Sequence, residues 1–143
     1  MHSVHKSKKT ILLLDDEETE RANASQILHG EGWNVLEADC CKDALMAFEA
    51  NRDRIDLLLA DIALPDGNGC ELALAIRQQK PHLRVLFVSG HVGSEVCRFY
   101  GLDVTDEHFL RKPFRPSELV KSVERVLSAT TAFPTLVPKT RTA

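Results

Sequence analysis

Short runs of apolar residues alternate along the chain with longer segments whose apolar residues recur at helical spacing. The first run, residues 11–14, consists of Ile, Leu, Leu and Leu and passes directly into four acidic residues. An unbroken apolar run of this length is typical of a strand that is buried on both faces of a parallel sheet. Extended along the chain, the pattern predicts five strands, at residues 10–14, 33–37, 56–60, 84–88 and 107–110.

Each predicted strand is followed by a segment with helical spacing. The five helices are expected at residues 17–29, 43–51, 70–79, 94–100 and 116–127, and either Asp39 or Cys40 begins the second. The first helix is unusually polar and is expected to pack less tightly than the others, because its apolar stripe is thin. The fourth is expected to be short, since strong helix signals are scarce there.

Strict alternation of strands and helices predicts an α/β fold, with a five-stranded parallel sheet and helices on both faces. Right-handed crossovers leave few topologies, and the flavodoxin-like, doubly wound strand order 2-1-3-4-5 fits best. In this order the carboxyl ends of strands one and three are neighbours. Residues 1–9 are predicted to form a flexible arm, residues 10–128 the folded domain, and residues 129–143 a flexible tail or linker.

The composition narrows the classes of function. The chain has 143 residues with a formal net charge of −3, which argues against broad electrostatic binding to nucleic acid. No apolar run approaches the roughly 18 residues of a membrane span. Residues 1–10 contain three lysines but no apolar segment, which is unlike a signal peptide, so we expect the cytoplasm as the compartment.

Four cysteines occur without the C-x₂-C spacing of a zinc site: Cys40, Cys41, Cys70 and Cys97. In a cytoplasmic chain we expect reduced thiols that serve as packing or surface residues, and a redox switch is the alternative.

Acidic residues follow the first and third predicted strands. Asp15 and Asp16 come after the first strand and Asp61 after the third. Crowded carboxylates repel one another unless a cation joins them, and Mg²⁺ prefers oxygen ligands. The acids therefore predict a site for Mg²⁺ (or Mn²⁺) in which Asp61 stays open as a nucleophile. Glu17 and Glu18 are instead assigned to the first turn of the next helix.

The fourth and fifth strands add further groups to the same edge. Ser89 supplies a hydroxyl, and Lys112 supplies an ammonium that can bind phosphate oxygens. Exposed backbone N–H groups near Ile62 and Gly90 are expected to add donors. Together these groups are the ones needed for phosphoryl transfer to an aspartate.

Four segments, LLLDDEE, LLLADIALPDGNG, VLFVSGH and FLRKPF, resemble a receiver domain of the two-component response-regulator family in their order and spacing. The resemblance covers roughly residues 10–128 and is greatest to receivers associated with sensor histidine kinases. It implies a regulatory signalling domain rather than an enzyme. The implied partner is a sensor histidine kinase or phosphotransfer protein. The chain is not expected to bind DNA or a membrane directly. It could form a homodimer. The resemblance does not identify the downstream target or the pathway.

The resemblance also implies roles for the acidic residues. Asp61 would accept the phosphoryl group from a phosphohistidine. Asp16 and Asp61 would ligate Mg²⁺ together with the backbone carbonyl of Ala63, and Asp15 would act through a water molecule. Lys112 would bind the phosphoryl group, and its bond to Pro113 would be cis.

A conformational switch is implied as well. Ser89 stands at the position of the switch hydroxyl and Phe109 at the position of the switch aromatic residue. The output face would be formed by the fourth helix, fifth strand and fifth helix. Phe109 has no hydroxyl, so it would act by packing alone. Ala63 and His91 stand at variable positions beside the site that influence phosphoryl lifetime.

Other functions are weaker matches to these residues. A flavin carrier of the same fold class needs a phosphate loop after the first strand, where this chain has acids. A metal-dependent phosphohydrolase needs an additional acid–base group and a substrate pocket, and the sequence indicates neither. The second serious hypothesis is a phosphorylation-independent protein-interaction module on the receiver fold. The chain is expected to be a single-domain regulator or a receiver from a longer protein.

Overall fold

A parallel sheet with helices on both faces forms the centre of the computed structural model, which describes residues 8–90, 93–103, 106–129 and 135–136. The strands are β1 (Thr10–Leu14), β2 (Asn34–Ala38), β3 (Leu57–Asp61), β4 (Arg84–Ser89) and β5 (Phe109–Arg111), in the order β2-β1-β3-β4-β5. The helices are α1 (Glu18–Gly30), α2 (Cys41–Ala50), α3 (Gly69–Gln79), α4 (Gly93–Phe99) and α5 (Pro116–Ser128). The predicted fold class and strand order are confirmed.

Side chains of the central strands alternate between two apolar cores. Leu12 and Leu14 pack on one face of the sheet with residues from α2, α3 and α4. Ile11 and Leu13 pack on the opposite face with residues from α1 and α5. All five residues of β1 and of β3 are buried, which explains why these strands are nearly continuous apolar runs in the sequence.

The element boundaries differ from the predictions by one or two residues, and local hydrogen bonds account for the differences. Trp33 belongs to the turn before β2, because its N–H donates to the Leu28 carbonyl at the end of α1. The fifth strand begins at Phe109 rather than 107, because Asp106–His108 forms a 3₁₀ turn. Glu17 caps α1 through a hydrogen bond from the backbone N–H of Glu20 to its carboxylate, at 2.6 Å.

Helix α1 buries only Ala24, Ser25 and Leu28, in line with its expected thin apolar stripe. Helix α4 has seven residues and is as short as predicted. Within the described ranges, no helix has both the length and the apolar character needed to cross a membrane.

The loop after β3 is tied to α2, a contact that the sequence did not indicate. Ala63–Leu64 and Gly67–Asn68 form a small antiparallel pair in this loop. The carboxylate of Asp66 accepts hydrogen bonds from the backbone N–H groups of Cys41 and Lys42, at 2.8 and 3.1 Å. These donors hold the pKa of Asp66 below its ordinary value. Cys40, at the N-cap position, forms no side-chain capping bond, so Asp66 supplies the cap from another loop.

A second small antiparallel pair joins Leu102–Asp103 to Thr135–Leu136. Thr135 and Leu136 lie within the segment that the sequence predicts to be a flexible tail or linker. The rest of that segment beyond Ala129 lies outside the described residues.

The expectation that the cysteines are reduced is wrong for two of them. Cys70, in the first turn of α3, and Cys97, in α4, form a disulfide and are fully buried. The pairing depends on how α3 and α4 pack, which the spacing of 27 residues in sequence does not indicate. Cys40 and Cys41 are free, and burial and the nearby charge of Asp66 raise the pKa of Cys41 to about 12.

Reduction of the Cys70–Cys97 disulfide is expected to lower the free energy of unfolding by about 3 kcal/mol, because a covalent loop of this length restricts the unfolded chain. Urea denaturation with and without a phosphine reductant measures the difference. Thiol titration of the denatured, unreduced chain should find only Cys40 and Cys41. A Cys70→Ala/Cys97→Ala variant, insensitive to reductant, is the control. Equal denaturation midpoints for the oxidised and reduced wild type would contradict the expected contribution.

Candidate functional site

The sheet register brings the acids of β1 and β3 to one edge. Leu14 pairs with Ala60, so the residues that follow them, Asp15 and Asp61, emerge side by side at the carboxyl ends of neighbouring strands. Asp61 continues the alternation of Leu57 and Leu59 and therefore faces the same side of the sheet as α1 and α5. The position agrees with the rule that ligands bind outside the carboxyl ends of parallel strands.

Asp15, Asp16 and Asp61 form one carboxylate cluster. Each offers an oxygen, and these oxygens lie within 4.8 Å of one another. Asp15 and Asp61 are buried, with 7% and 8% exposure, whereas Asp16 is exposed. Three carboxylates that converge from two strand ends, one of them open to solvent, fit a hard divalent cation that keeps some of its water ligands. The donor set therefore suits Mg²⁺ or Mn²⁺, and offers none of the thiolate ligands that favour softer metals.

Lys112 forms ion pairs with the carboxylates. Its Nζ lies 2.9 Å from Oδ2 of Asp61, 2.8 Å from Oε1 of Glu20 and 3.4 Å from Oδ2 of Asp15. The backbone N–H of Lys112 donates to the carbonyl of Ser89, which fixes the lysine relative to β4. The Lys112–Pro113 bond is cis, in agreement with the expectation from the resemblance.

Burial and charge change the acidity of these groups in identifiable directions. Burial raises the pKa of the Asp15 carboxyl, although the Glu17 N–H and the Lys112 charge oppose the rise. Burial alone would lower the pKa of Lys112. Its hydrogen bonds to Glu20 and Asp61 and the charges of the nearby aspartates outweigh that effect, so the pKa is raised and the ammonium stays protonated at neutral pH.

Backbone groups around Asp61 only partly match the predicted set of donors. The Ala63 N–H donates to Oδ1 of Asp61 at 3.3 Å. The donor near Ile62 is therefore the Ala63 N–H, because the N–H of Ile62 itself donates to the Val88 carbonyl in β4. The extra ladder bond extends the pairing between the two strands beyond Asp61, and so helps to hold the aspartate in place.

The residues of the expected switch lie on β4 and β5. Ser89 ends β4, is half-buried, and pairs with Arg111 of β5. Phe109 begins β5, is half-buried, and packs against the core with its ring 5.8 Å from that of Phe87. His91 lies outside the described residues.

Three residues that sequence reasoning did not select also build the site. Glu20 pairs with Lys112; its signal in the sequence is its place in the first turn of α1, four residues after Asp16. Arg21 links the elements around Asp15, because its guanidinium donates to the Asp15 carbonyl and to the Glu37 carboxylate. Gly69 permits close packing, since a Cβ there would lie 2.4 Å from the Asp61 carbonyl oxygen.

Comparisons with known proteins give a matching family model and similar relatives. The family model described as "Response regulator receiver domain" matches residues 11–124. The chain is 35% identical over 117 residues to the transcriptional regulatory protein CpxR of Escherichia coli K12. The alignment covers 82% of this chain and 48% of CpxR, so the chain spans about half the length of that relative. It is also 30% identical to the sensor kinase CckA of Brucella abortus, with 82% of this chain and 12% of that protein covered.

Solved structures give the same family. The non-phosphorylated HemR receiver domain from Leptospira biflexa aligns with a TM-score of 0.73 and 31% identity, covering 88% of this chain and 99% of that one. The receiver domain of the hybrid histidine kinase CckA aligns with a TM-score of 0.69 and 33% identity, covering 83% and 99%.

Gly69→Ala is expected to disturb the site through backbone contact. The added Cβ would overlap the Asp61 carbonyl, so the start of α3 or the end of β3 must shift. We expect a loss of about 1–3 kcal/mol in the free energy of unfolding, typical of overpacking, and weaker Mg²⁺ binding. Chemical denaturation and isothermal titration calorimetry measure the two effects.

Gly30→Ala is the matched control, because a Cβ there meets no atom within 4 Å. It should leave Mg²⁺ binding unchanged and leave stability unchanged or slightly higher. Similar losses in both variants would show that the contact with Asp61 is not the cause.

Proposed function

This chain belongs to the response-regulator receiver family, and from that membership we propose that Asp61 is its phosphoacceptor. The observation that carries the proposal is the convergence of Asp15, Asp16 and Asp61 with the Lys112 ammonium between Asp15 and Asp61. Asp61 lies at the switch point of the sheet, where a phosphoryl donor can approach from outside the strand ends. The proposed receiver domain comprises residues 10–128.

In the proposed reaction an Asp61 carboxylate oxygen attacks the phosphorus of a phosphohistidine. The new O–P bond forms as the N–P bond breaks, and the imidazole nitrogen leaves with the electron pair. Bound Mg²⁺ would neutralise charge on the phosphoryl oxygens. Asp16, Asp61 and the Ala63 carbonyl would hold the ion, with Asp15 acting through water. Lys112, whose Nζ is hydrogen-bonded to Asp61, would also donate a hydrogen bond to a phosphoryl oxygen.

The proposed donor is a sensor histidine kinase or a histidine phosphotransfer protein. Similarity to the receiver of a hybrid histidine kinase supports a place in a phosphorelay. The domain would act as a signalling element that takes part in its own phosphorylation and dephosphorylation, and it would not bind DNA directly. The interaction-module alternative is less favoured, because the acids and the lysine needed for phosphorylation are present together.

Phosphorylation is proposed to shift an equilibrium between two conformations of the face formed by α4, β5 and α5. Ser89 would move toward the phosphoryl oxygens. Phe109, which is half-buried against Phe87, would turn further inward. The backbone bond from Lys112 to Ser89 connects the two strands that carry these switch residues.

Beryllium fluoride, a phosphoryl mimic, is expected to bind the wild-type chain only when Mg²⁺ is present. Asp61→Asn should abolish binding, because the neutral amide cannot coordinate beryllium as the carboxylate does. ¹⁹F NMR of bound fluoride measures uptake, and unfolding curves check that the variant folds. Asp66→Asn is the control, since Asp66 caps α2 and lies outside the carboxylate cluster. Equal uptake by wild type and Asp61→Asn would refute the phosphoacceptor assignment.

A further inference from the structure

All three donors of the Lys112 ammonium have a carboxylate acceptor within reach in this structure. An ammonium group has three N–H bonds, and oxygens of Glu20, Asp61 and Asp15 lie 2.8, 2.9 and 3.4 Å from Nζ. A phosphoryl oxygen that binds Lys112 must therefore displace one of these carboxylates. Which of them leaves is decided by how firmly each is held.

Glu20 is the carboxylate that can leave most easily. The side chains of Asp15 and Asp61 are 10% and 11% exposed, and each also accepts a backbone hydrogen bond, from Glu17 and Ala63. The Glu20 side chain is 48% exposed, and within the described part of the chain its carboxylate pairs only with Lys112. Its release into water leaves no buried charge uncompensated.

The ion pair of Glu20 and Lys112 is accessible to solvent. An open depression of about 390 Å³ between the end of β1, helix α1 and the loop after β5 is lined by Asp15, Glu20, Asn23, Lys112, Pro113 and Phe114. Water can therefore solvate the Glu20 carboxylate once it separates from the lysine. The backbone of Glu20 stays in place, because its N–H donates to the Glu17 carboxylate at the helix cap.

We propose that Glu20 is a positioning residue of the phosphoacceptor site, whose carboxylate holds the Lys112 ammonium in the unphosphorylated protein and yields it to the phosphoryl group. The inference rests on the proposed function of Asp61. Glu20 opposes phosphorylation in two ways: it competes for Lys112, and it adds a negative charge where the phosphoryl group brings about two more. It thereby biases the domain toward the unphosphorylated state.

The negative charge of Glu20, which opposes binding of the phosphoryl group, favours binding of a cation. Four carboxylates, Asp15, Asp16, Glu20 and Asp61, share this edge of the sheet with Lys112. Removal of the Glu20 charge therefore strengthens binding of an anionic phosphoryl mimic without strengthening binding of Mg²⁺. A purely structural role for Glu20 would weaken both or change neither.

Glu20→Gln in the full chain tests the proposal, because the amide keeps the size of the side chain and removes its charge. At saturating Mg²⁺ the affinity for beryllium fluoride is expected to rise about two- to fivefold, the range that a partly exposed ion pair supports. Mg²⁺ affinity without beryllium fluoride should be unchanged or lower. Calorimetry measures both constants, and thermal unfolding should show the same midpoint as wild type.

Glu18→Gln is the matched control, with the same charge change in the same helical turn. It should leave beryllium fluoride binding unchanged. An equal rise in Glu18→Gln, or no rise in Glu20→Gln, would overturn the role of Glu20 while the Asp61 assignment stands. Failure of the wild type itself to bind the mimic would instead refute the proposed function.

Discussion

The ion pairs of Lys112 are the interaction on which the site depends. Asp15 and Asp61 are buried next to each other, and two uncompensated carboxylates in that position would repel each other and lose their hydration. The Lys112 ammonium lies within 3.4 Å of both and offsets part of that cost. Burial still raises the pKa of Asp15, so the compensation by the lysine is incomplete. The excess of negative charge makes the site suited to a divalent cation.

The fold determines that these groups meet. Parallel pairing of β1 with β3 aligns Asp15 with Asp61, and pairing of β4 with β5 brings Lys112 to the same edge. Two apolar cores, one on each face of the sheet, hold the strands in this register. A slip of one residue would reverse the facing of every side chain and move Asp61 away from α1. The buried leucines thus position the charges, although they carry no chemistry themselves.

Sequence reasoning recovers the parts of the molecule that repeat a local pattern. Buried strands appear as apolar runs, and Asp15, Asp61 and Lys112 stand out because each follows such a run. Groups whose partners come from distant elements leave no such pattern. The Cys70–Cys97 disulfide depends on the packing of α3 against α4, and the cap from Asp66 depends on the path of a loop. The strand ladder continues past Asp61 and uses the N–H of Ile62, so the neighbouring N–H of Ala63 is the one that donates to Asp61.

Glu20 illustrates the same limit within the site. In the sequence it is one of several acids in a polar helical turn, and only the path of Lys112 distinguishes it from Glu18. Its presence means that the lysine is already fully hydrogen-bonded before any phosphoryl group arrives. In the proposed account, phosphorylation therefore exchanges one hydrogen-bond partner of the Lys112 ammonium for another. It does not simply add a ligand to an unpaired ammonium.

The most direct measurement is the chemical location of the phosphoryl group. The full chain is incubated with a small-molecule phosphoryl donor and Mg²⁺, and the product is treated with borohydride, which reduces an aspartyl phosphate to homoserine. Peptide mass spectrometry then locates the modified residue. The account predicts homoserine at position 61, and none when Mg²⁺ is removed or when Asp61 is replaced by Asn. Modification at another residue, or a Mg²⁺-independent product, would contradict it.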